Sequence, residues 1–130
     1  MLIGNDDCYL RIERDDPTDW YAPLRLEARL RMPGKVQFFG WSDIATISSG
    51  SEQREAFEKF AEGRTGQVRF SLADDGWIEL QATREGHIDV LFSVGYARLG
   101  PHWKLGGDVH VDGERANSFL DDFRELIFGW

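Results

Sequence analysis

The sequence predicts an α+β domain. It reads as an antiparallel sheet of about 6-7 strands in the order β-β-β-α-β-β-β-β-α, with two helices packed on one face. Three observations predict it. Apolar and polar residues alternate with period two through six segments, as a half-buried strand requires. The apolar spacing switches to a helical period in two others. Short glycine-bearing turns join most neighbouring strands, which makes their pairing antiparallel. A chain of 130 residues with 42% apolar content can bury one core, so residues 1–130 are read as a single domain.

Taken in order, Cys8, Leu10 and Ile12 alternate with Tyr9, Arg11 and Glu13. The segment ERDDPTDWYAP (residues 13–23) has two prolines and three aspartates and reads as a loop. Leu24, Leu26, Ala28, Leu30 and Met32 then alternate with charged residues, and MPGK turns the chain into VQFFGW. In SSGSEQREAFEKFAEGRTG the period changes. Ser49 or Ser51 can cap a helix there, with Glu52 behind Ser49 as a capping box. Ala56, Phe57, Phe60 and Ala61 form its apolar face, Glu55, Glu58, Lys59 and Glu62 its wet face, and Gly63 its stop. The closing segment DGERANSFLDDFRELIFGW sets Ala116, Phe119, Leu120, Phe123, Leu126 and Ile127 on one stripe and ends at Gly129.

Between the helices, Val68, Phe70 and Leu72 alternate, as do Ile78, Leu80 and Ala82, and Ile88, Val90, Phe92, Val94 and Tyr96. A loop of Asp74, Asp75 and Gly76 keeps oily and acidic groups on separate faces and pairs Ser71 with Glu79. A two-residue loop would mix them. The same reasoning at Arg84-Glu85-Gly86 pairs Thr83 with His87 and Gln81 with Asp89. A loop over residues 97–102 then sets His110 opposite Asp89, while Trp103, Leu105, Val109 and Val111 point inward. One polar face follows, carrying Arg69, Trp77, Gln81, His87, Asp89, Asp108, His110 and Asp112, with Arg69, Gln81 and Asp89 in one row. It is expected to be left open by the helices.

His87 and Asp89 lie about 6.5–7 Å apart along one strand. That is too far for the direct bond of a nucleophile–base relay. No HExxH or H-x-E-x-H spacing occurs, no G-x-S-x-G, and no glycine-rich phosphate loop precedes a helix. The two histidines are therefore read as solvated strand residues first, as partner contacts next, and as metal or proton chemistry last. No catalytic residue, no metal and no cofactor is assigned. Trp77 and the loop residues Trp20 and Tyr21 are candidate aromatic anchors, against the plainer reading that they plug the edges of a small core.

Charge narrows the partner. The net charge is −8, divided as −2 over residues 1–70 and −6 over residues 71–130. Such a surface repels a phosphate backbone and attracts basic partners. No segment is apolar enough to cross a membrane, and MLIGNDDCYL lacks the pattern of a signal peptide. The single cysteine, Cys8, has no partner for an internal disulfide or for zinc. A cytoplasmic protein with no nucleic-acid or membrane partner is expected, its oligomeric state open. The segment Cys8 to Glu13 is read as an edge strand.

The run S-L-x-D-D-G-x-I-x-L-x-A-x-x-x-x-G-H-I over residues 71–88, with the strands and amphipathic helix that follow, resembles small bacterial families related to WapI-type immunity proteins. In those relatives the loop entering this block carries a tryptophan-glycine feature, where this chain has Gly63-Arg64-Thr65-Gly66. The resemblance implies a non-catalytic protein that binds and neutralises a toxin, here a basic toxin domain. A hydrolase, metal-assisted or otherwise, using His87, Asp89 and His110 is the alternative, and a small-ligand carrier the next.

Overall fold

A computed structural model of the chain describes residues 1–4, 9–14, 16, 18, 24–30, 36–42, 51–71, 76–96 and 103–129. For residues 24–30, 36–42, 94–96 and 103–105, and for Ser51 and Glu85, only the backbone is described. The mixed α+β class and the antiparallel pairing hold, but the expected single sheet does not. Among the described residues, eight strands form two four-stranded sheets. The first contains β1 (Leu2–Gly4), β2 (Tyr9–Arg14), β3 (Leu24–Leu30) and β4 (Val36–Ser42) in chain order. The second contains β5 (Gln67–Ser71), β6 (Trp77–Ala82), β7 (Ile88–Tyr96) and β8 (Trp103–Val111), also in chain order. Helix α1 (Ser51–Gly63) stands between them in sequence, and α2 (Gly113–Phe128) follows β8.

The extra strand is β1. Its three residues are too few to display an alternation, yet Ile3 is buried and the segment pairs with β2 through Ile3 and Leu10. The Met1 ammonium donates to the Ile12 carbonyl at 2.7 Å, and Ile12 N–H donates back to the Met1 carbonyl at 2.8 Å. Consequently β2 is an interior strand, flanked by β1 and β3, and not the expected edge. Strand β1 runs beside β8, and β4 approaches β7.

One apolar cluster joins both sheets to both helices. Val68, Phe70, Ile78, Leu80, Ile88, Val90, Phe92, Val109 and Val111 supply it from one face of β5–β8, and Ile3, Leu10 and Ile12 from β1 and β2. Helix α2 supplies Ala116, Phe119, Leu120, Phe123, Ile127 and Phe128, and α1 supplies Phe57 and Phe60. Both helices therefore cover one face of the second sheet. Phe123 lies between them, its ring centroid 5.6 Å from Phe57, 5.2 Å from Phe70 and 5.8 Å from Phe119. Each such buried ring contributes about 1.5–3 kcal/mol by leaving water. Ala56 departs from the expected stripe and is exposed, and Leu126 is only half-buried.

Polar links pin the same arrangement. Arg124 of α2 donates to both Glu58 oxygens of α1, at 2.7 and 3.2 Å, and to Asp121 at 2.7 Å. Glu58, expected on the wet face, is thus tied to the neighbouring helix. Arg14 donates to the Leu126 carbonyl at 2.7 Å, holding β2 to the end of α2. Gly129 takes the left-handed conformation, φ 85°, and its N–H caps the Glu125 carbonyl at 2.9 Å. At the end of α1 the left-handed residue is Arg64, φ 51°, and not Gly63. Its guanidinium bonds the Ala61 carbonyl at 2.9 Å and the Asn117 side chain, contacts a glycine could not make.

Candidate functional site

Strand pleating places the candidate residues on the face of β5–β8 opposite the helices. The register there is partly as expected. Gln81 faces Asp89, Asp89 faces His110, and β7 ends at Tyr96 where β8 begins at Trp103. The β5–β6 hairpin differs: Ser71 faces Trp77 and Arg69 faces Glu79. A slip of two residues keeps every side chain on its face, so the hydrophobic pattern could not detect it. The row containing Asp89 is therefore Gln67–Gln81–Asp89–His110, and Arg69 belongs to the next, Arg69–Glu79–Leu91–Asp108.

Two groups of polar side chains form on this face. In the first, Glu79 is 4% exposed although it sits on the face expected to be wet. Arg69 Nε donates to one of its oxygens at 3.1 Å and Gln81 Nε2 to the other at 2.6 Å. A buried carboxylate needs both partners, because an unpaired buried charge is costly. The Arg69 guanidinium also stacks over the half-buried Trp77 ring at 4.1 Å. Arg69, Trp77 and Gln81 are thus held in place by a residue that sequence reasoning did not single out.

The second group lies where β8 passes into α2. His110 Nδ1 contacts Asp89 Oδ1 at 2.6 Å, and His110 Nε2 contacts His87 Nδ1 at 2.7 Å. A carboxylate only accepts, so the hydrogen sits on His110 Nδ1. When His110 is neutral its Nε2 offers a lone pair, to which His87 Nδ1–H donates. The two rings stand 4.9 Å apart, tilted by 34°. Asp112 Oδ1 lies 3.6 Å from His110 Nε2 and 3.9 Å from His87 Nδ1. The expectation that His87 and Asp89 make no direct bond holds, but they do not merely decorate a strand: His110 links them from the neighbouring one.

Asp108 belongs to neither group and is exposed. It borders an open hollow of ≈ 430 Å³ that Trp77, Asp89, Leu91, Ser93, Gly106 and Gly107 also line. Sequence reasoning missed Leu91, an apolar residue half-buried on the polar face, and missed that Gly106 leaves the sheet bare beside it, whereas a Cβ at Gly107 would point into the core, 3.0 Å from the Phe92 ring. A Cβ at Gly106 would meet only the Phe92 carbonyl oxygen, at 3.4 Å. The other candidates that the sequence suggested, Trp20 and Tyr21, lie outside the described residues, as do Cys8, Ser49, the 97–102 loop and the side chains of Trp103 and Leu105.

Among the described residues no helix is long and apolar enough to cross a membrane. Compared with known proteins, the chain matches no family model, no curated protein and no solved structure.

Proposed function

We propose that the protein is a non-catalytic binding domain of the immunity type, which neutralises a basic toxin domain by docking it on the polar face of β5–β8. The observation that carries this reading is the hollow beside Asp89 and Asp108, lined on its apolar side by Trp77 and Leu91 and left open at Gly106. A lysine or arginine of the partner fits that description: its stem lies along the apolar wall and its charge meets the two carboxylates. The −6 balance of residues 71–130 adds long-range attraction for the same partner.

The test is the association rate between this chain and the basic product of the gene beside its own, measured at low salt. Asp108→Lys should slow association by about 10-fold or more, because rim charges act chiefly on the encounter. Gly106→Gln, which fills the hollow, should speed dissociation. Unchanged kinetics in both variants would exclude this face.

The Asp89–His110–His87 relay favours a second reading, a hydrolase in which His87 acts as an oriented base. Turnover of an ester or phosphoester substrate that disappears in His110→Ala would select it over the binding reading.

A further inference from the structure

We infer that the protein binds one divalent transition-metal ion of the zinc class through His87 Nδ1, His110 Nε2 and a carboxylate oxygen of Asp112. This does not rest on the docking reading above. The three atoms come from three elements: the end of the 3-10 turn at Arg84–Gly86, strand β8, and the residue preceding α2. They are mutually separated by 2.7, 3.6 and 3.9 Å. Their mean separation of 3.4 Å matches the about 3.3–3.4 Å between two ligands held at about 2.0–2.1 Å and tetrahedral angles around one zinc ion.

Two further features point to the same ion. Asp112 occupies the N-cap position of α2, where an aspartate side chain ordinarily accepts a helix N–H, yet it makes no such bond. Its backbone carbonyl takes the Arg115 N–H at 2.9 Å, and its carboxylate is left facing the two imidazoles. Asp89, for its part, is too far along the strand to be a ligand but holds His110 through Nδ1. That is the carboxylate–histidine–metal arrangement, in which the outer carboxylate sets the tautomer and orients the ring.

Electrostatics and ligand chemistry agree. Asp89 and Asp112 bring two negative charges, which a divalent ion balances. Two imidazoles and one carboxylate suit zinc and its neighbours, whereas calcium and magnesium take all-oxygen shells. On binding, the metal replaces the hydrogen bond between the rings. His87 gives up the hydrogen on Nδ1 and carries one on Nε2 instead, so the imidazole stays neutral. The side chains of His110 and Asp112 are 49% and 69% exposed, so a fourth coordination position faces solvent.

The experiment uses the full chain stripped with chelator, then titrated with Zn2+ by calorimetry and with Co2+ by visible absorption. One ion per chain is expected, with the intense bands of four-coordinate Co2+. His87→Ala, His110→Ala and Asp112→Asn should each weaken binding more than about 100-fold, and Asp89→Asn about 10–100-fold with the stoichiometry retained. Glu62→Gln, an exposed change in α1, should leave it untouched. Circular dichroism checks that each variant is folded. Absence of stoichiometric uptake, or uptake that the two histidine variants retain, would overturn the assignment.

Discussion

Replacing Phe123 by alanine tests the packing on which everything else is mounted. The side chain is 0% exposed and its ring touches the rings of Phe57 on α1, Phe70 on β5 and Phe119 on its own helix. A Phe→Ala change in a core costs about 3–5 kcal/mol through lost transfer energy and the cavity left behind. Three aromatic neighbours on three elements cannot all collapse into that cavity, which places the expected loss near the top of that range, at about 4–5 kcal/mol. Phe119 gives the internal control. It is 7% exposed, and its described ring contact is with Phe123, so Phe119→Ala should cost about 3 kcal/mol. The assay is urea unfolding followed by circular dichroism and tryptophan fluorescence. With a urea slope of about 2 kcal/mol/M the two midpoints should fall by about 2–2.5 M and about 1.5 M. A Phe123→Ala loss under about 2 kcal/mol, or a larger loss at Phe119, would refute the claim that both helices close on the sheet through Phe123.

Three other outcomes follow from the geometry. Arg69→Ala should destabilise the protein by about 1–3 kcal/mol in the same assay, because the buried Glu79 loses one of its two donors. The Arg124–Glu58 pair is bidentate but partly exposed, so a double-mutant cycle should give about 1 kcal/mol or less of coupling. Its hydrogen bond to Glu58, above all, raises the Arg124 pKa, so the guanidinium's share is present throughout the neutral range and lost only as strong alkali deprotonates it. Thr18 donates to the Asp16 carboxylate from its hydroxyl, at 2.7 Å, and from its backbone N–H, at 2.9 Å, which holds the Asp16 pKa below the usual aspartate value. That contribution exists above the ordinary pKa and vanishes as pH falls through the lowered one. An NMR titration of Thr18→Val should therefore show Asp16 moving up toward the ordinary value.

Much of this arrangement is legible in the residues, because pleating and helical period act locally. The alternation in β5–β8 separates Val68, Phe70, Ile78 and Leu80 from Arg69, Glu79 and Gln81, and the stripe of α2 announces the core positions of Phe119 and Phe123. The short turn at residues 84–86 sets Gln81 against Asp89. Alternation constrains register only to an even number of residues, however, so the β5–β6 pairing slipped by two while keeping its faces. Nothing in a period-two pattern says which strands share a sheet across α1, and hence two sheets formed where one was expected.

The site divides the same way. His110 opposite Asp89 follows from register alone. The bond from His110 to His87 does not, since it depends on where the chain leaves the 3-10 turn and on two ring orientations. Glu79 looked like a wet residue because pattern assigns faces, and burial on a polar face depends on neighbours such as Arg69 folding over it.

The proposal that the polar face of β5–β8 is the recognition surface is tested most directly by two-dimensional NMR of the chain titrated with the product of the neighbouring gene, the proposed partner. Shift changes should concentrate at the Trp77 indole, His87, Asp89, Asp108 and His110, with Glu55, Glu62 and Asp121 on the helices unmoved. Changes confined to those helix residues, with the sheet face silent, would contradict it.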